Sequence, residues 1–208
     1  MPRPVLTARD LEDIPDGGEI VATPDTLITA LAREEVERRN IRLRIEEPVK
    51  GGSSSKFGRV VALGADHGGF ALKEEFKGYL RDWGYVALDL GTSSTDSVDY
   101  PDFAEAVANA VVRGDAWRGV VIDSAGIGSS IAANKVPGAR AALCYDRATA
   151  RNSREHNDAN ILSLGARLIA AEVAREILAV WLQTEFGGGR HQKRIDKIRA
   201  IEERYRKP

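Results

Sequence analysis

From residue 58 onward the chain alternates short apolar runs with amphipathic stretches, and this alternation restricts its fold more than any other feature. Val60-Val61-Ala62-Leu63-Gly64 reads as a buried strand, followed by a helix from about Gly69 to Trp83. Tyr85 to Asp89 is a second strand and Pro101 to Val112 a second helix. Gly119-Val120-Val121-Ile122 is a third strand, leading through Gly126-Ile127-Gly128 into a helix that ends near Lys135. Ala139 to Leu143 and Asn160 to Leu164 supply two more strands with a helix between them. Two helices, about Ala171 to Thr184 and Gln192 to Arg204, finish the pattern. Strands alternating with helices imply an α/β domain, a parallel five-stranded sheet with helices on both faces.

The alternation stops abruptly upstream. Residues 49–57, with Gly51-Gly52-Ser53-Ser54-Ser55-Lys56 at their centre, read as a flexible linker. Residues 1–48 before it form a small α+β module. Thr7 is a candidate N-cap for a helical turn, and Asp16-Gly17-Gly18 a turn before the strand Glu19 to Ala22. Thr23-Pro24-Asp25 then opens a helix through about Arg39, and Ile41 to Ile45 alternates apolar and charged residues as a half-buried strand does.

Bulk chemistry excludes several classes of function. A net charge of −1 gives no general affinity for nucleic acid or an anionic membrane surface. A single cysteine, Cys144, rules out an internal disulfide or a cysteine metal cluster within one chain. No apolar run approaches the roughly 20 residues that span a bilayer, and the first residues lack the apolar core of a signal peptide. The expected compartment is a reducing cytosol.

In a parallel sheet the ligand crevice lies beyond the carboxyl ends of the strands. Asp66 and His67 follow the first strand of the large domain, Asp99 and Tyr100 follow the second after a loop, Asp123 ends the third, and Arg167 follows the fifth. Arg154-Glu155-His156-Asn157-Asp158 closes a helix, so its placement depends on the fold. A histidine, a carboxylate, arginines and a glycine-rich turn together suit a small phosphorylated substrate.

The glycine-rich turn is Asp123-Ser124-Ala125-Gly126-Ile127-Gly128-Ser129-Ser130. Glycines there let N–H groups point into the crevice, where they can hold a phosphate or a developing oxyanion. A tight turn with no ligand is the plain alternative. Ile131 stands where a dinucleotide fingerprint needs its third glycine, and no Gly-Lys-Ser/Thr follows, which excludes a Walker A loop. His67 gains weight from its place after a strand and before Gly68-Gly69. The cluster Arg190-His191-Gln192-Lys193-Arg194 is either the solvated start of a helix or a phosphate clamp, with Arg190 and Arg194 on one face if both are helical.

Several segments, in order and in register, resemble one family. They are Gly64-Ala65-Asp66-His67-Gly68-Gly69-Phe70, Asp99-Tyr100-Pro101, Gly126-Ile127-Gly128, Ile131-Ala132-Ala133-Asn134-Lys135, Arg154 to Asn160 and Gly189-Arg190-His191-Gln192. They look like the signatures of ribose-5-phosphate isomerase B and the related galactose-6-phosphate isomerase, from about residue 58 to the C-terminus. The resemblance implies a Rossmann-like sheet, an aldose–ketose isomerase acting through an enediolate, and a homodimer with active sites at the subunit interface, further pairing to a tetramer being left open. It implies that His67, Arg167, Arg190 and Arg194 bind the substrate phosphate, the last two reaching the neighbouring subunit's site. Asp66 and Asn157 would contact sugar hydroxyls, Tyr100 would line the sugar pocket, and His156 would assist ring opening. The backbone of Gly126, Ile127, Gly128, Ser129 and Ser130 would stabilise the enediolate. No metal or organic cofactor is implied.

The sequence departs from the pattern where the chemistry is hardest. Many members carry a cysteine base where this chain has Asp123, others a glutamate where it has Ser129, and the hydroxyl residue that helps ring opening is replaced by Ala125. Cys144 does not restore the thiol and reads as a small core hydrophobe. Aldose–ketose isomerisation needs a base beside C1 and C2, and Asp123 is the candidate; a helix N-cap that anchors the turn is its alternative role. The missing cysteine leaves room for a six-carbon substrate, and the three departures together for a sugar-phosphate binding or regulatory protein. The module pattern from Leu11 to Ile41 is similar to short modules on bacterial microcompartment enzymes. That likeness implies recruitment to a shell or cargo partner through residues 1–48, with an oligomerisation arm as the alternative.

Overall fold

A computed structural model describes residues 5–11, 14–22, 26–45 and 60–206. The expected linker over 49–57 and the Thr23-Pro24-Asp25 helix start lie outside the described residues. The chain divides into two compact units, Met1–Ser54 and Ser55–Pro208.

The first unit contains β1 (Val5–Leu6), a 3-10 turn (Ala8–Leu11), β2 (Glu19–Ala22), β3 (Leu27–Ile28), α1 (Ala30–Arg38) and β4 (Arg42–Ile45). β1 pairs with β3 and β2 with β4, both in parallel. The helix therefore begins later than the sequence suggests. Its N-cap is Thr29, whose hydroxyl accepts from Ala32 N at 3.3 Å, and Leu27–Ile28 are drawn into pairing with β1. Thr7 precedes a helical turn as expected, but with roles reversed: its N–H and hydroxyl donate to the Asp10 carboxylate at 2.8 and 2.7 Å. Leu11, Ala32 and Ile41 form a small core. Arg39 straps it by donating to Asp16 at 2.7 Å and to the Leu11 carbonyl at 2.8 Å.

The second unit holds β5 (Val60–Ala65), α2 (Phe70–Asp82), β6 (Val86–Asp89), α3 (Tyr100–Arg113), β7 (Arg118–Asp123), α4 (Ile127–Ala133), β8 (Ala141–Leu143), α5 (Arg147–Glu155), β9 (Ile161–Gly165), α6 (Ala171–Gln183), a 3-10 turn (Gly189–His191) and α7 (Gln192–Tyr205). The strands form one parallel sheet in the order β6-β5-β7-β9-β8, as the β/α alternation requires. Side chains alternate across it. Val61, Leu63, Val120, Ile122, Leu162 and Leu164 pack under α2, α5 and α6, while Ala62, Val121 and Ile161 pack under α3 and α4. Gly64 and Gly119 let α3 approach closely, since a Cβ on either would stand 2.7 or 2.5 Å from Val107.

The order sets the ligand position. From β5 the chain moves outward to β6, then returns past β5 to β7, so the switch point lies between the carboxyl ends of β5 and β7. Asp66 and Asp123 stand there.

Candidate functional site

Asp123 is buried, and its carboxylate is fully engaged. One oxygen accepts from Ala125 N at 2.7 Å and from Gly126 N; the other accepts from Ser129 N at 3.0 Å and Ser129 Oγ at 2.6 Å. The turn thus folds around its own anion. Gly126 is obligatory there: its φ is +78°, and a Cβ would lie 2.5 Å from Leu143 and 2.7 Å from the Leu164 backbone. After β9 the chain zips onto the same turn, with Ala166 N donating to Asp123 O at 2.8 Å and Arg167 N to Ser124 O at 3.0 Å.

Around this turn the strand ends assemble the other expected groups. Asp66 is buried, with one carboxylate oxygen accepting from Gly69 N at 3.0 Å. Val98 N donates to His67 Nδ1 at 3.3 Å, so the neutral ring carries its proton on Nε2, free for a ligand. The ring of Tyr100 lies against Gly128, where a Cβ would stand 2.5 Å from it. Arg167 is exposed, and its guanidinium makes no hydrogen bond or ion pair among the described residues. Ile127 is half-exposed at the lip of the turn. Ser129 is turned inward to Asp123, and Ser130 toward the Ala141 carbonyl at 3.5 Å.

His156, Asn157, Arg190 and Arg194 are elsewhere in the chain. The register pairs Gly119 with Ile161 at one end of the sheet and Asp123 with Gly165 at the other. His156 and Asn157 precede β9, at the Gly119 end, and β9 itself spans about 13 Å from Ile161 to Gly165, the partner of Asp123. His156 stacks on His191, centroids 4.1 Å apart at 11°. Asn152 Nδ2 holds His156 Nδ1 at 2.8 Å, and Arg194 approaches His191 Nδ1 at 3.3 Å. Burial first, then the charges of His156, Arg190 and Arg194, push the His191 imidazole below its ordinary value. Arg190 and Arg194 do not lie in one continuous α-helix, because Arg190 falls in the 3-10 turn that follows Gly188 (φ +61°) and starts at Gly189 (φ +50°), ahead of α7.

Two buried arginines hold this second cluster. Arg118 donates to the carbonyls of Trp181 (2.7 Å), Leu182 (2.9 Å) and Thr184 (3.1 Å), satisfying the last turn of α6. Arg154 joins Thr184 O at 3.2 Å, Asp158 at 2.9 Å and Ala159 O at 2.6 Å. Gly187 N closes the loop onto Glu155 O at 2.9 Å.

A cavity of about 790 Å³ lies between the end of α4, β8 and α7; it is lined by Asn157 but by none of the strand-end groups. Cys144 belongs to the core, and burial pushes its thiol up. Among the described residues no cluster of His, Cys, Asp or Glu could hold a metal ion, and no helix is long and apolar enough to cross a membrane.

The sequence reading passed over Ser124, Tyr145 and His191 as individual groups. Tyr145 donates to the Ala125 carbonyl at 2.8 Å and braces the turn from β8. Ser124 and His191 stand inside motifs already singled out, which is the signal that could have found them.

Comparison with known proteins identifies the family and fold of the second unit. The profile of the family described as Ribose/Galactose Isomerase matches residues 61–198. Ribose-5-phosphate isomerase B of Escherichia coli strain K12 is 44% identical over 144 residues, 69% of this chain and 97% of that protein. D-erythrulose-4-phosphate isomerase of Pectobacterium atrosepticum is 40% identical over 139 residues, 66% of this chain and 91% of that protein. The structure of ribose-5-phosphate isomerase B from Clostridium thermocellum superposes with a TM-score of 0.70 at 52% identity, covering 71% of this chain and 99% of that one.

Proposed function

The chain belongs to the ribose/galactose isomerase family and is an aldose–ketose isomerase of sugar phosphates, and from that premise we propose its substrate and mechanism. The substrate is ribose 5-phosphate, in exchange with ribulose 5-phosphate, or a close relative of five or six carbons. The observation that supports this most is the gathering of a free Arg167 guanidinium and a His67 Nε2–H at the strand ends that carry Asp66 and the glycine turn. Arg167 and His67 take the phosphate, Asp66 the sugar hydroxyls, and Tyr100 one wall of the pocket.

Asp123 stands where the proton must be handled. The proposed step moves the C2 proton of the open-chain aldose to the Asp123 carboxylate and returns it to C1, with the O2 proton passing to O1. The Ile127 and Gly128 N–H groups face the enediolate oxygen, since those of Gly126, Ser129 and Ser130, also expected there, already donate within the chain. A second reading rests on the four hydrogen bonds that already occupy this carboxylate. On that reading Asp123 anchors the turn, and the protein binds sugar phosphates without isomerising them.

The separation of His156, Asn157, Arg190 and Arg194 from Asp123 within one chain supports a homodimer in which a second copy brings these groups to the first copy's strand ends. His156 then assists ring opening, and the arginines close on the phosphate. The first unit is proposed to recruit the enzyme to a microcompartment shell or cargo partner; unchanged co-sedimentation with shells after deletion of residues 1–57 would count against that role.

The deciding experiment is an NMR-monitored panel of aldose and ketose phosphates in D₂O. Deuterium entering C2 with net conversion supports the isomerase. Tight binding with neither exchange nor conversion supports the second reading.

A further inference from the structure

One hydroxyl at the switch point has no structural employment. Ser124 follows Asp123 at the end of β7 and is half-buried, yet its Oγ makes no hydrogen bond among the described residues. Its backbone is fixed, since its carbonyl accepts from Arg167 N at 3.0 Å. Its side chain faces the β5 loop: a Cβ placed on Gly68 would stand 2.4 Å from Ser124 Oγ and 3.3 Å from Asp66 Oδ1. Glycine at 68 is therefore what leaves room for this hydroxyl beside Asp66 and His67. A half-buried polar group that a fold shelters without a partner is costly unless water or a ligand completes it. Ser129, by contrast, spends its hydroxyl on Asp123, and position 125 is an alanine.

We propose that Ser124 is a catalytic residue of the ring-opening step that precedes isomerisation; this rests on the isomerase reading above. A pentose 5-phosphate is mainly a closed furanose, and its C1 carries both the anomeric hydroxyl and the ring oxygen. A serine hydroxyl accepts and donates at once. Ser124 Oγ takes the proton of the anomeric hydroxyl and passes its own proton to the ring oxygen. The C1–O4 bond breaks with its electron pair going to O4, the C1=O1 bond forms, and the serine ends as it began. Asp66 beside it orients the sugar.

The test compares the full chain with Ser124→Ala and Ser124→Thr. Anomer interconversion of ¹³C-labelled ribose 5-phosphate is followed by exchange NMR, and net conversion is followed in the same samples. Net conversion is measured also with erythrose 4-phosphate, whose 4-hydroxyl is esterified and which cannot close a five-membered ring. The expected result is that the wild type accelerates interconversion, Ser124→Ala loses about 10- to 100-fold of that acceleration, and Ser124→Thr keeps most of it. Conversion of erythrose 4-phosphate, where it occurs, stays within about twofold in Ser124→Ala. Equal loss on both sugars, unchanged interconversion in Ser124→Ala, or no acceleration by the wild type overturns the proposal. Interconversion that depends on Ser124 without any net conversion upholds Ser124 and rejects the isomerase reading; conversion with interconversion indifferent to Ser124 does the reverse.

Discussion

The two ends of the sheet are built by opposite means. At the carboxyl ends of β5, β7 and β9 the scaffold is mostly backbone: N–H groups of residues 125, 126 and 129 wrap Asp123, and residues 166 and 167 zip onto the turn. At the amino ends it is long side chains, with Arg118 and Arg154 reaching carbonyls at and just past the end of α6, some sixty and thirty positions later in the chain. The first arrangement is local and preorganised, which suits chemistry that must place a proton within tenths of an ångström. The second is a set of charged tethers that position the 3-10 turn bearing Arg190 and His191.

The contrast is broken most directly at Asp123. Asn at 123 keeps an acceptor for Ala125 and Gly126 N–H but turns an amide donor toward Ser129, whose N–H and hydroxyl both donate to the native carboxylate. Turnover of ribose 5-phosphate in Asp123→Asn is expected to fall about 10²- to 10⁴-fold, while its affinity changes by less than about threefold. Steady-state kinetics together with calorimetric titration of the sugar phosphate separate the two. Full activity would leave Asp123 as an anchor only, and the preorganised end would owe its chemistry to another group.

At the opposite end the largest effect falls on stability. Arg118→Met keeps an apolar stem but removes the guanidinium that lies 3.9 Å over the Trp117 ring and leaves the Trp181, Leu182 and Thr184 carbonyls without their donor. Leaving a buried carbonyl without its donor costs about 1–3 kcal/mol, readable as a lower urea midpoint at constant slope. A loss below about 1 kcal/mol would mean that water replaces the guanidinium and that this end is less tethered than its geometry says.

The same contrast explains what could be read from the letters. Asp66, His67, Asp123 and Arg167 were legible because each follows an apolar run, and the strand-end rule needs only the order of runs. The fold was legible for the same reason, as every strand of the sheet is a short aliphatic stretch. Where the lone pairs of Asp123 point was not, since the same residues serve whether the carboxylate faces the crevice or the turn. Nor was the distance of His156 from Asp123, which depends on α5 running back along the sheet to the start of β9. Thr23-Pro24-Asp25 carries every local sign of a helix start, yet Leu27–Ile28 pair with a strand some twenty residues upstream, and Thr29 caps the helix instead. Arg190 fell outside α7 because two consecutive glycines with positive φ break the helical run ahead of it.

The smallest expected effect sharpens the account of the tethered end, because it isolates the histidine stack from the arginines that hold it. His191 is buried against His156, with Arg190 and Arg194 contributing positive charge and Glu155 negative charge nearby. Its folded-state pKa is therefore below the unfolded value, so the unfolded chain binds this proton first as pH falls. Stability is retained above the ordinary histidine range and lost progressively as pH drops through it toward the lowered value. The lowered carboxylates, Asp10, Glu35, Glu74, Asp89 and Asp146, respond only in a more acid range, so the window from about pH 7.5 to 5.5 belongs mainly to histidine. Across that window the melting temperature of the wild type should fall further than that of His191→Asn, by about 1–2 °C. The slopes are the quantity to compare, since loss of the stack lowers stability at every pH. Equal slopes would show that protonation of His191 is accommodated without cost, by rotation away from His156 or by pairing with Glu155, and the stack would then be a packing contact with no charge coupled to it.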